Sequence, residues 1–168
     1  MLIDVIKLLL FPAMMAFAAS SDLLTMTISN RVSLVLVAGF FALALMSGIP
    51  LAQIGMHVAA AGLVLVVAFT FFAFGWIGGG DAKLAAATAL WFGFDQLLPY
   101  ALYASLFGGV LTFLIIRFRV WPLPRLLMNQ EWAQRLHQKD AGVPYGIALA
   151  IAALMIYPET VLMKPLGM

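Results

Sequence analysis

Asp22 and Asp81 are the residues of this chain whose type and setting are best suited to chemistry. Asp81 follows three consecutive glycines in Gly78-Gly79-Gly80-Asp81-Ala82-Lys83, between an apolar run that ends at Ile77 and another that begins at Leu84. Three glycines in a row weaken a helix by about 1 kcal/mol each relative to alanine, so they mark a sharp break or a close approach of another chain. Asp22 closes a similar apolar run after Ser20-Ser21. An acid at the edge of a membrane is costly and points to a function. Two carboxylates that share a site cannot both ionise easily, so one keeps its proton beside a charged partner. Such a pair can take a proton from water as it attacks a carbonyl and return one to the oxygen or the leaving amine. The simpler reading is that Asp81 caps the helix starting at Ala82 and Asp22 closes a turn. Other hydrolytic machinery is not supported. Cysteine is absent, which excludes a thiol nucleophile, thiolate metal ligands and disulfides. His57 and His137 are far apart in sequence and fall on opposite sides, so neither a histidine-assisted nucleophile nor a histidine-rich metal site is expected. The residues call for no metal and no cofactor.

The elements that must position these acids are membrane helices. Of 168 residues, 65% are hydrophobic and 10% charged, and the mean hydropathy is +1.09. A soluble domain is roughly 45–50% apolar and about 25% charged. No polar segment is long enough to build a separate core, so residues 1–168 are expected to form one membrane domain. The net charge of +2 is slight; membrane lipid is the expected surrounding and nucleic acid is not an expected partner. The N-terminus imitates a signal peptide, with Ala16-Phe17-Ala18 after an apolar stretch, but Asp4 and Lys7 leave the region before it without net positive charge. It is therefore read as a permanent span. Apolar runs near residues 2–19, 32–49, 57–77, 83–94, 97–116 and 143–157 predict an all-α polytopic protein of about six transmembrane helices.

Basic residues set the orientation. Arg31, Lys83, Arg117, Arg119, Arg125, Arg135 and Lys139 fall in alternate loops, whereas residues 48–56 and 95–98 contain no Lys or Arg. The positive-inside rule makes the first set cytoplasmic, puts both termini outside the inner membrane, and places Asp22 and Asp81 on one side. The fourth run is short, about 15 residues or about 22 Å against a hydrocarbon core of about 30 Å. It predicts either local thinning or a helix that begins below the surface, with residues 78–81 lining a watery notch. Residues 85–89 and Gly108-Gly109 read as small-residue packing surfaces. Trp76, Trp91 and Trp121 read as an interfacial belt. Residues 122–138 alternate apolar and polar positions and read as a short interfacial helix drawn to anionic lipid.

Gly78-x-Gly80-Asp81 resembles the GxGD signature of membrane aspartic proteases, and the longer Gly78-x-Gly80-Asp81-x-Lys83 resembles that of type IV prepilin peptidases. Asp22 with Ile28-Ser29-Asn30 is similar to that family's first Asp motif, with Ser29 where proline is common. Val143-Pro144-Tyr145-Gly146 resembles its late Pro-x-Gly. The resemblance implies catalytic roles for Asp22 and Asp81. It also implies a prepilin substrate whose short basic leader lies in the cytoplasm and is cut just after a glycine, for pilus biogenesis. Longer relatives carry a Cys-bearing cytoplasmic domain and methylate the new N-terminus. This sequence shows neither such a domain nor a cysteine and looks closer to the short peptidases of Flp (tight-adherence) pili and to archaeal preflagellin peptidases. Around the acids, Gly78 and Gly80 are expected to give an extended substrate room. Lys83 is expected to reach headgroups or pair with an acid, and Asn30 to hydrogen-bond backbone near Asp22. Pro144 and Gly146 are expected to open the last helix beside the site. Two other readings are a small proton-coupled transporter with the acids as a relay and a non-enzymatic pilus-assembly subunit. The transporter would favour acids at mid-membrane and an inverted repeat, which the sequence does not show. The subunit would tolerate loss of both acids.

Overall fold

In the computed structural model, residues 2–164 are described and fold as helices without strands among those residues. The elements are α1 (Leu2–Thr25), α2 (Asn30–Met46), α3 (Leu51–Ala73), α4 (Gly79–Val120), α5 (Glu131–His137) and α6 (Tyr145–Ile156). Among the described residues, α1, α3 and α4 are long and apolar enough to cross a membrane, and α2 and the Tyr145–Glu159 segment are shorter apolar helices.

α4 is two helices joined at one residue. Gly93 has φ 61° and ψ −170°, a region that is essentially glycine-only and costs other residues about 1–3 kcal/mol. A straight run from Asp81 to Thr112 would be about 46 Å long, yet both line one cavity, so the chain reverses at Gly93. Counting both arms gives six apolar helical segments among the described residues. The expected turn at residues 95–98 lies instead at Gly93, because glycine alone meets this backbone geometry; Pro99 falls within the second arm.

The first arm, residues 79–92, is the centre of the bundle. Its Ala82, Leu84, Ala86, Ala87, Thr88, Ala89, Leu90, Trp91 and Phe92 are buried. The small residues let α3, α2 and α6 approach closely, where dispersion replaces the hydrophobic effect as the driving force. The break at Gly93 leaves carbonyls of this arm without helical partners. His57 answers one: its Nδ1–H donates to the Leu90 carbonyl at 2.8 Å. His57 is buried inside α3, which explains why that helix begins at Leu51, earlier than the polar residue indicates. Trp91 is also interior and not interfacial. Its indole N–H donates to the Leu36 carbonyl at 3.0 Å, and its ring lies 5.0 Å from that of Phe11. Trp76 and Trp121 are exposed.

α1 and α6 run antiparallel, pinned near both ends. The Tyr157 hydroxyl donates to the Lys7 carbonyl at 2.6 Å, and the Gly146 N–H donates to the Asp22 carboxylate at 2.7 Å. The segment expected as one interfacial helix is mostly irregular. Pro122 and Pro124 limit it to a 3-10 turn at Arg125–Leu127, followed by the seven residues of α5. Gly108 packs against the Tyr145 ring, whereas Gly109 faces open space.

Replacing Gly93 with alanine is expected to lower the thermal midpoint of the detergent-solubilised protein by several degrees, since a Cβ there would also meet the His57 ring at 3.0 Å. Gly55→Ala, inside α3 with nothing within 4 Å, is expected to leave the midpoint unchanged or raise it.

Candidate active site

Asp22 lies within the last turn of α1, not in the loop that follows. The helix runs three residues further because Met26 ends it: its φ is 56°, and its N–H still donates to the Asp22 carbonyl at 2.8 Å. Ser21 Oγ donates to the Thr27 carbonyl at 2.9 Å, and the Thr25 and Thr27 hydroxyls are 2.7 Å apart. These contacts fold residues 26–29 sharply, so Ile28 returns beside the acid. Ser29 then caps α2, its side chain accepting from the Arg31 N–H.

Asp81 is the third residue of α4. Its Oδ2 accepts from the Gly78 N–H at 3.2 Å, one half of a capping box. Its Oδ1 is buried with no partner. Asp22 Oδ2 accepts from Gly146 in the first turn of α6, where helix N–H groups lack partners of their own. Both acids therefore accept from helix-start N–H groups, but not as the simpler reading expects: Asp81 is the third residue of a helix that starts at Gly79, and Asp22 serves the start of α6 in place of a turn of its own. They also share space. Asp22, Met26, Thr27, Ile28 and Gly78 through Asp81 line a cavity of about 290 Å³. A second, of about 500 Å³, is lined by the same two acids and by Trp76, Thr112, Val143 and Tyr145, among others. The pair stands between two cavities with one carboxylate oxygen of Asp81 unclaimed.

Of the other residues singled out from the sequence, Gly78, Gly80, Pro144 and Gly146 stand beside the acids, whereas Lys83 and Asn30 bond each other. Gly78 and Gly80 line the smaller cavity, and a side chain at either would press on the site: a Cβ at Gly80 would meet Ile28 Cβ at 3.1 Å, and one at Gly78 would meet Asp81 Oδ2 at 2.9 Å. Gly146 is the tightest position, where a Cβ would lie 2.8 Å from both Asp22 Oδ2 and Ile28 Cδ1. Pro144 is buried and caps α6, which aims the Gly146 N–H at Asp22. Lys83 Nζ donates to Asn30 Oδ1 at 2.9 Å. This bond ties the start of α4 to the start of α2, so Lys83 and Asn30 fasten two helices and do not reach the acids.

Three further residues, to which the sequence alone assigns no role at the site, hold the same end together. Arg119 donates to the carbonyls of Leu136, Ala141 and Gly142, at 2.9, 2.9 and 2.7 Å, and so anchors the loop that leads into α6. Arg135 donates to the Leu24 carbonyl at 2.9 Å and caps the C-terminus of α1. Tyr145 OH accepts from Thr112 Oγ1 at 3.4 Å. The arginines gave only a charge signal in the sequence, and a hydroxyl inside an apolar helix gave none.

Fold and site define an all-helical membrane protein with paired acids at one end of the bundle. The family model for the type IV leader peptidase family matches residues 9–113, more than half of the chain. The chain belongs to that family and is a peptidase. No curated protein and no solved structure matches it.

Gly146→Ala tests whether the position of Asp22 matters. A side chain there must displace the carboxylate or Ile28, and a misplacement of about 1 Å costs on the order of 100-fold in rate. Leader cleavage by the purified variant is expected to fall by about that factor, with the protein still membrane-inserted.

Proposed function

We propose that this protein is an aspartic leader peptidase in which Asp22 and Asp81 act as one catalytic unit on a prepilin. The observation that carries this reading is the placement of both carboxylates on the walls of the same two cavities, supplied by helices far apart in sequence. Of two acids sharing so small a space, one keeps its proton. The ionised acid removes a proton from water as the water oxygen bonds to the peptide carbonyl carbon. The protonated acid donates to the carbonyl oxygen, giving a neutral tetrahedral intermediate. Collapse breaks the C–N bond and moves a proton to the departing amine. A new carboxyl terminus on the leader and a new amino terminus on the mature subunit result.

The finer assignments belong to the same reading. The substrate is a Flp-type prepilin, and cleavage serves pilus biogenesis. The site faces the cytoplasm, where the basic residues cluster, so the protein crosses the inner membrane several times with both termini outside. Residues 1–168 act as one peptidase domain. Gly146 and Pro144 are positioning residues for Asp22, and Lys83 with Asn30 holds the start of α4 against α2.

Asp22→Asn and Asp81→Asn are each expected to insert and to leave the prepilin uncut, with activity reduced at least ~1,000-fold, as for a missing member of a proton-transfer unit. The mass of the pilin recovered after incubation with purified enzyme reads this directly. Normal trimming by either variant would overturn the mechanism, and retained pilus assembly in the double variant would favour a non-enzymatic role.

A further inference from the structure

A cavity of about 400 Å³ lies apart from the acids, lined by Ile116, Arg119, Val120 and Lys139. The second arm of α4, residues 94–120, is about 40 Å long, more than the hydrocarbon core of about 30 Å. Thr112 is level with the paired acids, in whose larger cavity it stands. Ile116, Arg119 and Val120 lie one to two turns beyond it, at the basic end of the arm. Ile116 and Val120 are exposed apolar walls. Lys139 is exposed, and no described residue partners its ammonium. Arg119 is half-buried; its Nε and Nη2 donate to three carbonyls around the loop before α6, which leaves Nη1 for an anion. The cavity thus offers two cations above an apolar wall, the chemistry of a phosphate with acyl chains attached.

We infer that this cavity binds one anionic phospholipid, its phosphate against Lys139 and Arg119 and its acyl chains along Ile116 and Val120. Occupancy braces the loop that carries Gly146 to Asp22. A free anion would satisfy the cations but leave the apolar wall bare, so the lipid is the better fit. Arg119 couples the two sites: the side chain that lines the cavity also holds Ala141 and Gly142, five and four residues ahead of Gly146. The lipid site does not require the peptidase reading; only the consequence for Asp22 touches it.

The test uses the full-length protein in phosphatidylcholine nanodiscs with or without phosphatidylglycerol. Lipid retained after mild extraction is read by native mass spectrometry, and loop mobility by amide exchange over residues 139–146. Wild type is expected to retain phosphatidylglycerol over phosphatidylcholine and to exchange more slowly in the loop when it does. Lys139→Gln should weaken that preference roughly five-fold. Arg117→Gln, exposed on the same helix but outside the cavity, should leave it unchanged. Equal losses in the two variants would reduce the effect to diffuse surface attraction and overturn the site. Slower loop exchange with inorganic phosphate alone would overturn the lipid assignment in favour of a free anion. Retention without slower exchange would overturn the bracing. Asp81→Asn should bind lipid as wild type does, so failure of the catalytic reading and failure of the lipid site are told apart.

Discussion

The hydrogen bond from the Gly146 N–H to the Asp22 carboxylate is the constraint around which this end of the molecule is built. A buried acid needs donors, because stripping a charge of water without replacing its hydrogen bonds is prohibitive. The first turn of a helix has N–H groups to spare and the positive end of the helix dipole. Joining the two solves both problems but demands close contact. It requires a residue without a side chain at position 146 and a loop before it that cannot drift. Arg119 holds that loop through three carbonyls, and Arg135 fixes the end of α1 from which Asp22 projects. At the far end Tyr157 prevents α6 from sliding along α1.

A second constraint brings Asp81 to the same place. The reversal at Gly93 makes the first arm of α4 too short to cross a bilayer of ordinary thickness unaided, and nearly every side chain in it is buried. A helix in that position meets protein on most sides, which suits its run of alanines. Its start lies where the loop after α1 packs down: Ile28 rests on Gly80 and against Gly146. One isoleucine therefore fills the space beside both acids, and three glycine positions have to stay bare for it and for the carboxylates.

The helical class and the proximity of the two motifs were legible because both rest on strong signals: long apolar runs, and glycine breaks next to isolated acids. Boundaries were less legible where polar residues turned out to be interior. Hydropathy treats His57 as an edge, but its ring is spent on the Leu90 carbonyl that the Gly93 break exposes. It treats Trp91 as a belt residue, but the indole is used inside the bundle. Apolar patterning also cannot separate a lipid-facing surface from a packed one, since both are hydrophobic. Arg119 and Arg135 were visible as charge and hence as orientation, while their work as carbonyl clamps depends on loops that meet only in three dimensions. The glycines of the GxGD stretch line the smaller cavity, but that Ile28 and Asp81 itself stand where side chains at Gly80 and Gly78 would go depends on contacts the sequence does not show.

Capping and catalysis are commonly set against each other as explanations of an acid at a helix start. Here the geometry removes the opposition. A carboxylate has two oxygens, and each of these acids commits Oδ2 to a backbone N–H. That bond holds the side chain in one orientation without a second residue having to do so. Asp81 Oδ1 is left buried and unpaired, and no described residue donates to Asp22 Oδ1. Caps alone would be served as well by serine, threonine or asparagine, and none of these would place two acids on one pair of cavities. On the proposed reading the caps are the means by which a membrane helix bundle keeps one oxygen of each acid free for a shared water.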